Sequence, residues 1–157
     1  MSHKPMILGL FLLSLLAAVP ARAQGAAGCV FDVDEPRSGM SVGRGVYVLG
    51  TASLPPGRHL WVLARHESFR TRQVWFPQGE GTVDPGTGRW KVFASIGESR
   101  DVPSEFDVAV AVFDQREHLA LSSHLDHDME TGEYRPQRMP PTVCAPVQLM
   151  VRKTSHD

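Results

Sequence analysis

Along most of this chain, apolar and polar residues alternate with a period of two, the signature of strands that turn one face to a core. Val46 and Val48 alternate with Tyr47 and Leu49. In HLWVLAR, Leu60, Val62 and Ala64 share one face and Trp61 and Leu63 the other. Trp90, Val92, Ala94 and Ile96 form another row, opposite Lys91, Phe93 and Ser95. Phe106, Val108, Val110 and Val112 follow, and Val147, Leu149 and Val151 make the last. Turn chemistry separates these rows. LPPG at Leu54 to Gly57 and DPGTG at Asp84 to Gly88 pair a proline that presets φ with a glycine that accepts positive φ. One segment departs from this period. Gln115 to Leu125, with Leu121 and Leu125 four apart, predicts a short helix between late strands. Tyr134 to Pro146 reads as an extended, proline-rich crossing to the final strand.

Four stretches carry a resemblance to small bacterial immunoglobulin-like β-sandwich modules of unassigned function found in exported proteins. Glu35-Pro36-Arg37-Ser38-Gly39 leads into Val46-Tyr47-Val48-Leu49-Gly50, and Leu54-Pro55-Pro56-Gly57 into Leu60-Trp61-Val62. WFPQG followed by DPGTGRW is the third, and Ile96-Gly97 with Phe106-Asp107-Val108 the fourth. The resemblance implies an all-β, immunoglobulin-like antiparallel β-sandwich with one short inserted helix, and a module that binds or presents. It transfers no catalytic residues.

The N-terminus changes the compartment. A cationic MSHK, the apolar run MILGLFLLSLLAAV and an A-x-A site at Ala21 to Ala23 have the layout of a secretory signal peptide. The expected organisation is therefore a signal peptide at 1–23 and a single β-sandwich domain at 24–157, exported to the periplasm or the medium. Ala26-Ala27-Gly28-Cys29 resembles a lipobox, but it sits well past the apolar run and lacks the usual leucine. No other segment approaches the ~20 apolar residues of a membrane span, so no transmembrane anchor is expected. Of 16 basic and 17 acidic residues, Lys4 and Arg22 fall in the leader, which leaves the domain a formal charge of −3. That balance argues against nucleic acid or an anionic membrane surface as the partner. The chain has no asparagine and few lysines, a composition that points to a GC-rich bacterium. Cys29 and Cys144 are its two cysteines, and in an exported chain an even count favours a disulfide.

Three groups of residues could carry chemistry. Gly39-Met40-Ser41-Val42-Gly43 matches the G-x-S-x-G elbow of serine hydrolases. That elbow needs a strand before it and a helix after it, and the pattern supplies neither around Ser41. HLALSSHLDHDMETGE holds His118, His124, His127, Asp126, Asp128 and Glu130. Imidazole nitrogen and carboxylate oxygen suit zinc, copper or nickel, and a continued helix would put His124, His127 and Asp128 at ligand spacing. Histidines in this number also permit a response to pH. The aromatic set is Trp61, Trp75, Phe76, Trp90 and Phe93. Alternation makes Trp90 core, whereas Trp61 and Trp75, if exposed, would stack on sugar rings; Trp75 is expected to be scaffold. Gly79, Gly81, Gly86 and Gly88 do not form a phosphate cradle, because no Lys-Ser or Lys-Thr follows.

The chain is thus expected to be a non-enzymatic binding or interaction module that recognises a protein or envelope component and uses no cofactor. The alternative is a small-ligand module, taking carbohydrate at Trp61 and Trp75 or a divalent metal at His124, His127 and Asp128. A hydrolase using Ser41 is the least favoured.

Overall fold

The computed structural model describes residues 28–156. The signal peptide expected at 1–23 lies outside them. Two β-sheets and one helix make up the fold. A three-stranded sheet has the order β1 (Val30–Glu35), β3 (Gly45–Ser53), β6 (Arg89–Ser95). The larger sheet has six strands in the order β2 (Ser41–Val42), β9 (Val147–Lys153), β7 (Ser104–Asp114), β4 (Arg58–His66), β5 (Val74–Glu80), β8 (Gln137–Arg138). All neighbours are antiparallel except β2 and β9, which run parallel. Among the described residues no helix is long and apolar enough to cross a membrane.

Alternation places the sheets face to face. Val48 and Ala52 of β3 and Trp90, Val92 and Ala94 of β6 meet Leu60, Val62 and Ala64 of β4, Val108 and Val110 of β7 and Val151 of β9. All five rows read from the sequence form strands, and Trp90 is core as expected.

The central strands β4 and β7 do more. Leu60 to Ala64 and Val108 to Phe113 are buried continuously, so both faces of these strands are covered. On the second face Trp61, Leu63, Trp75, Ala109, Ala111 and Phe113 pack around Leu121 of the helix α1 (Gln115–Thr131), with Leu125 and Met139 at the margin. The molecule is therefore layered sheet, sheet, helix.

Helix α1 begins where Asp114 accepts the Glu117 amide at 3.0 Å, an N-cap, and ends where Gly132 takes φ 71°. It runs six residues past the expected Leu125. The reason is polar: its sheet-facing stripe continues from Leu121 and Leu125 to a buried Asp128, one i,i+4 step beyond His124. Apolar periodicity alone does not register that last turn.

DPGTG reverses the chain as expected, but it does not close a hairpin within one sheet. It carries the backbone from β5 in the larger sheet to β6 in the smaller. Asp84 accepts from Gly86 N, Thr87 N and Thr87 Oγ1, and these bonds hold its carboxyl below the ordinary carboxylate range. Gly88, at φ 71°, closes the turn by donating to the Asp84 carbonyl.

Two cross-links fasten the layers at their ends. Cys29, just ahead of β1, is bridged to Cys144, just ahead of β9. Lys153 at the end of β9 is fully buried and its ammonium donates to the Ile96 carbonyl at 2.6 Å, with the carbonyls of Gly43 and Gly97 at 3.5 Å. Burial draws this amine below the ordinary lysine range. Three carbonyls supply the acceptors that a buried cation requires.

Leu121 is the one large apolar side chain of α1 that is fully buried. Leu121→Ala is expected to cost about 2–5 kcal/mol, the range for truncating a buried leucine. Urea unfolding followed by tryptophan fluorescence checks this, since Trp61 and Trp75 lie beneath that leucine.

Candidate functional site

The structure places the expected site residues in different surroundings. Trp61 and Trp75 are 2% and 3% exposed. Trp61 donates its indole N–H to His118 Nδ1 at 3.2 Å, and Trp75 lies under the Arg65 guanidinium, 4.1 Å from the ring centroid. Both are covered by α1 and its surroundings, so neither leaves an open indole face for a sugar ring. Alternation alone left Trp75 open between exposure and a second layer, and the structure buries it. The exposed aromatic pair is instead Tyr47 and Phe93, cross-strand neighbours on the outer face of the small sheet, 5.2 Å apart and edge to face. Ser41 lies in β2, a two-residue edge strand, with no helix after it.

Of the three expected metal ligands, two meet. His124 Nε2 is 3.3 Å from Asp128 Oδ2 and 2.8 Å from the Arg135 carbonyl. Asp128 also accepts the Arg135 amide at 3.1 Å, and the Arg135 guanidinium lies 3.5 Å from its other oxygen. This knot binds the turn after α1 back onto the helix. His127, three residues after His124, is exposed and projects elsewhere. A 100° step per residue puts i and i+3 about 60° apart on the helix, and here the buried stripe takes His124 and leaves His127 outside.

A different histidine pair comes together. His59 is the second residue of β4, Glu80 closes β5 and His118 sits in the first turns of α1. His59 Nδ1 is 2.7 Å from Glu80 Oε1 and its Nε2 is 2.8 Å from Gln115 Oε1. The His59 and His118 rings stack at 3.8 Å with an 11° tilt, and His118 Nδ1 lies 3.8 Å from Glu80 Oε1. One ligand atom from each of these three residues falls within 4.8 Å of the others, close enough to consider a metal ion. The fit is incomplete. An imidazole lone pair lies in the ring plane, and two near-parallel rings 3.8 Å apart cannot both aim at one ion ~2 Å away. The Trp61 N–H also donates to His118 Nδ1, so that nitrogen already has a partner. As arranged, the cluster latches the start of α1 to β4 and β5. No local spacing announces it. His59 and Glu80 are 21 apart in sequence, and the β4–β5 register, Trp61 opposite Glu80, unites them.

A cleft of about 780 Å³ opens beside β6, the edge strand of the small sheet. Phe69, Phe76, Phe93, Phe106, Met129 and Tyr134 line it. Phe69 and Phe76 meet edge to face at 5.5 Å, as do His66 and Phe106 at 4.9 Å. Gln78 bridges the two sheets at its border: its carbonyl oxygen accepts the Ser95 amide at 2.8 Å and its NH2 donates to the Phe76 carbonyl. Phe93, Met129 and Tyr134 keep 53%, 63% and 61% of their surface exposed. Phe76 and Phe93 were visible in the sequence as aromatics; their convergence with Met129 from the last turn of α1 and Tyr134 from just beyond it was not.

Next to the cleft, an ion-pair network occupies the part of the larger sheet's outer face not covered by α1. Arg65 Nε donates to Asp107 at 2.8 Å, and Arg70 grips the same carboxylate through Nε and Nη2 while its Nη1 reaches Glu105 at 3.2 Å. Burial works to raise the Asp107 carboxyl, but the hydrogen bonds from Arg70 and Arg65 outweigh it and hold the group below the ordinary range. A carboxylate depressed in the folded state stabilises the fold above its unfolded value, near 3.9, and that stability is lost as pH falls through the folded value. Asp107→Asn is expected to cost about 2–3 kcal/mol at pH 7, by the worth of hydrogen bonds to a charged group. Urea unfolding at pH 7 and at pH 3 checks the sign, because the gap between variant and parent must narrow in acid.

No protein-family model matches this chain, and no curated protein matches it at a significant level.

Proposed function

We propose that this chain is an exported, non-enzymatic binding module of the bacterial envelope or medium, with an immunoglobulin-like β-sandwich as its scaffold. The strand order supports that scaffold. Lettered in the immunoglobulin manner, β1, β3 and β6 correspond to A, B and E, and β9, β7, β4 and β5 to G, F, C and C′. Helix α1 and β8 then form one long insertion between F and G. The bridge departs from the antibody pattern, since it links Cys29 to Cys144 and not strands B and F. A disulfide is at home in an oxidising compartment.

The observation that carries the binding reading is the cleft beside β6. A concave surface that sets aromatic side chains beside hydrogen-bonding groups, here His66 and Gln78 with Glu98, Arg100 and Asp101 at the border, is the usual form of a recognition site. Aromatic and methionine side chains supply contact area and adapt to a partner's shape. The occupant proposed is a segment of a protein partner with two or three apolar side chains, which would cover Phe93, Met129 and Tyr134. A photo-crosslinking amino acid in place of Tyr134, activated in the native envelope, is expected to give one dominant protein adduct. The same group at the distant, exposed Thr51 is expected to give none, and equal labelling from both positions counts against the reading. Met129→Glu should weaken adduct formation roughly 30-fold, the effect of losing a hot-spot contact of about 2 kcal/mol.

A second reading, a divalent cation at His59, Glu80 and His118, rests on the proximity of their ligand atoms. Binding would have to unstack the two imidazoles and displace the Trp61 N–H. Zinc titration followed by the histidine ring resonances tests it: saturable shifts abolished by His59→Ala/His118→Ala support the reading, and unmoved resonances end it.

A further inference from the structure

Helix α1 covers only part of the outer face of the larger sheet, and what lies beside it is basic. A pocket of about 610 Å³ is lined by Arg65, Arg70, Arg72 and Arg138, with Gln73 and Gln148 among its polar walls and Trp75 at its base. Its parts come from five places in the chain: β4, the turn at residues 70–73, β5, β8 and β9. No aspartate or glutamate lines it. The two carboxylates behind it, Asp107 and Glu105, engage Arg65, Arg70 and, more distantly, Arg152 at 3.9 Å. Arg72 and Arg138 have no acidic partner among the described residues. Five guanidinium groups thus face two carboxylates, in a chain whose overall formal charge is −1.

The arrangement of Arg65 is the most informative. Its side chain is 14% exposed, its guanidinium lies over Trp75, and its Nε is fixed on Asp107. The two terminal nitrogens have no protein acceptor among the described residues, yet they belong to a side chain that lines the pocket. A guanidinium offers five N–H donors in a planar fork, and one of the five is satisfied here. Arg70 is likewise pinned by Asp107 and Glu105. Both groups are held before any ligand arrives, so little side-chain freedom is lost on binding. The rim shows a related feature. Gln73 has φ 52°, the one non-glycine residue with positive φ among the described residues, and it closes the turn by donating to the Arg70 carbonyl at 3.1 Å. A non-glycine residue in this region is strained, and such strain often accompanies a binding or catalytic site.

We infer that this pocket is a binding site for an oxyanion, a carboxylate or phosphate group carried on a small organic molecule. Planar guanidinium forks match the paired oxygens of both groups. The volume exceeds what a bare ion fills, and the half-buried Met139 on its wall gives the body of the ligand an apolar contact. Arg65 and Arg70 serve as the fixed donors, and Arg72 and Arg138, both exposed, close on the ligand from the rim. Arg65 also borders the cleft beside β6, whereas Arg70, Arg72 and Arg138 line this pocket and not that cleft.

The test uses the oxidised, processed protein with inorganic phosphate and citrate as probes and sodium chloride as the ionic-strength control. Arginine Nε–H resonances and tryptophan fluorescence report on the site. Saturable shifts at Arg65 and Arg70 with phosphate or citrate, absent with chloride, are expected. Arg72→Gln/Arg138→Gln should weaken binding at least tenfold, about 1.4 kcal/mol, while leaving the circular dichroism unchanged. Tighter phosphate binding would assign a phosphate-bearing ligand, and tighter citrate binding a carboxylate. Shifts that follow ionic strength alone, or saturation that survives the double substitution, would overturn the inference.

Discussion

The structure depends on the need to cover β4 and β7 on both faces. Leu60 to Ala64 and Val108 to Phe113 are apolar at every position, so a single partner sheet leaves Trp61, Leu63, Ala109, Ala111 and Phe113 in water. Burying apolar surface contributes ~25 cal/mol per Å², and two tryptophans and a phenylalanine bring some of the largest side-chain areas available. Helix α1 answers this requirement. It enters between β7 and β9 because the chain can leave one of the central strands, cross the open face and return to the edge of β7. Everything placed around the helix follows from that docking: the His59–Glu80–His118 latch at its start, and the Asp128 knot at its end.

Both candidate sites are places where this covering stops. The small sheet has three strands and the large one six, so the cleft opens where β6 runs out of neighbours. On the opposite face α1 shields the tryptophans but not the stretch around Asp107, which the chain fills with charge. There Trp75 joins the two regimes, with apolar neighbours on one side and the Arg65 guanidinium on the other. An ordered guanidinium over an indole is at once packing and electrostatics.

Much of the fold was legible in the sequence because a period of two is a local signal. Each of the five rows, the DPGTG turn and the Cys29–Cys144 pairing could be read within a few residues or by counting. The second core was harder to see, since Trp61 and Leu63 alternate correctly with Leu60 and Val62 and give no sign of what covers them. A strand buried on both faces shows as a continuous apolar run, and VAVAVF at residues 108–113 was that run. The candidate sites were least legible. Ligand spacing on a helix favoured His124, His127 and Asp128, yet the buried stripe separates His127 from the others. His59 with Glu80, and Arg65 with Arg138, are joined by strand register and by the return of the chain through β8, quantities that no local window contains.

The Cys29–Cys144 bridge also determines how the fold bears load. Strand β1 is the outer strand of the smaller sheet, held by β3 alone, and a pull on the chain ahead of it would by itself peel that strand away one hydrogen bond at a time. The bridge intercepts such a pull at Cys29, before β1, and passes it to Cys144 at the foot of β9, which pairs with β7 along its length within the six-stranded sheet. Tension then reaches the larger sheet before it reaches the β1–β3 pairing. Reduction of one covalent bond would convert a mechanically firm attachment at that end into a weak one, with the two cores otherwise intact.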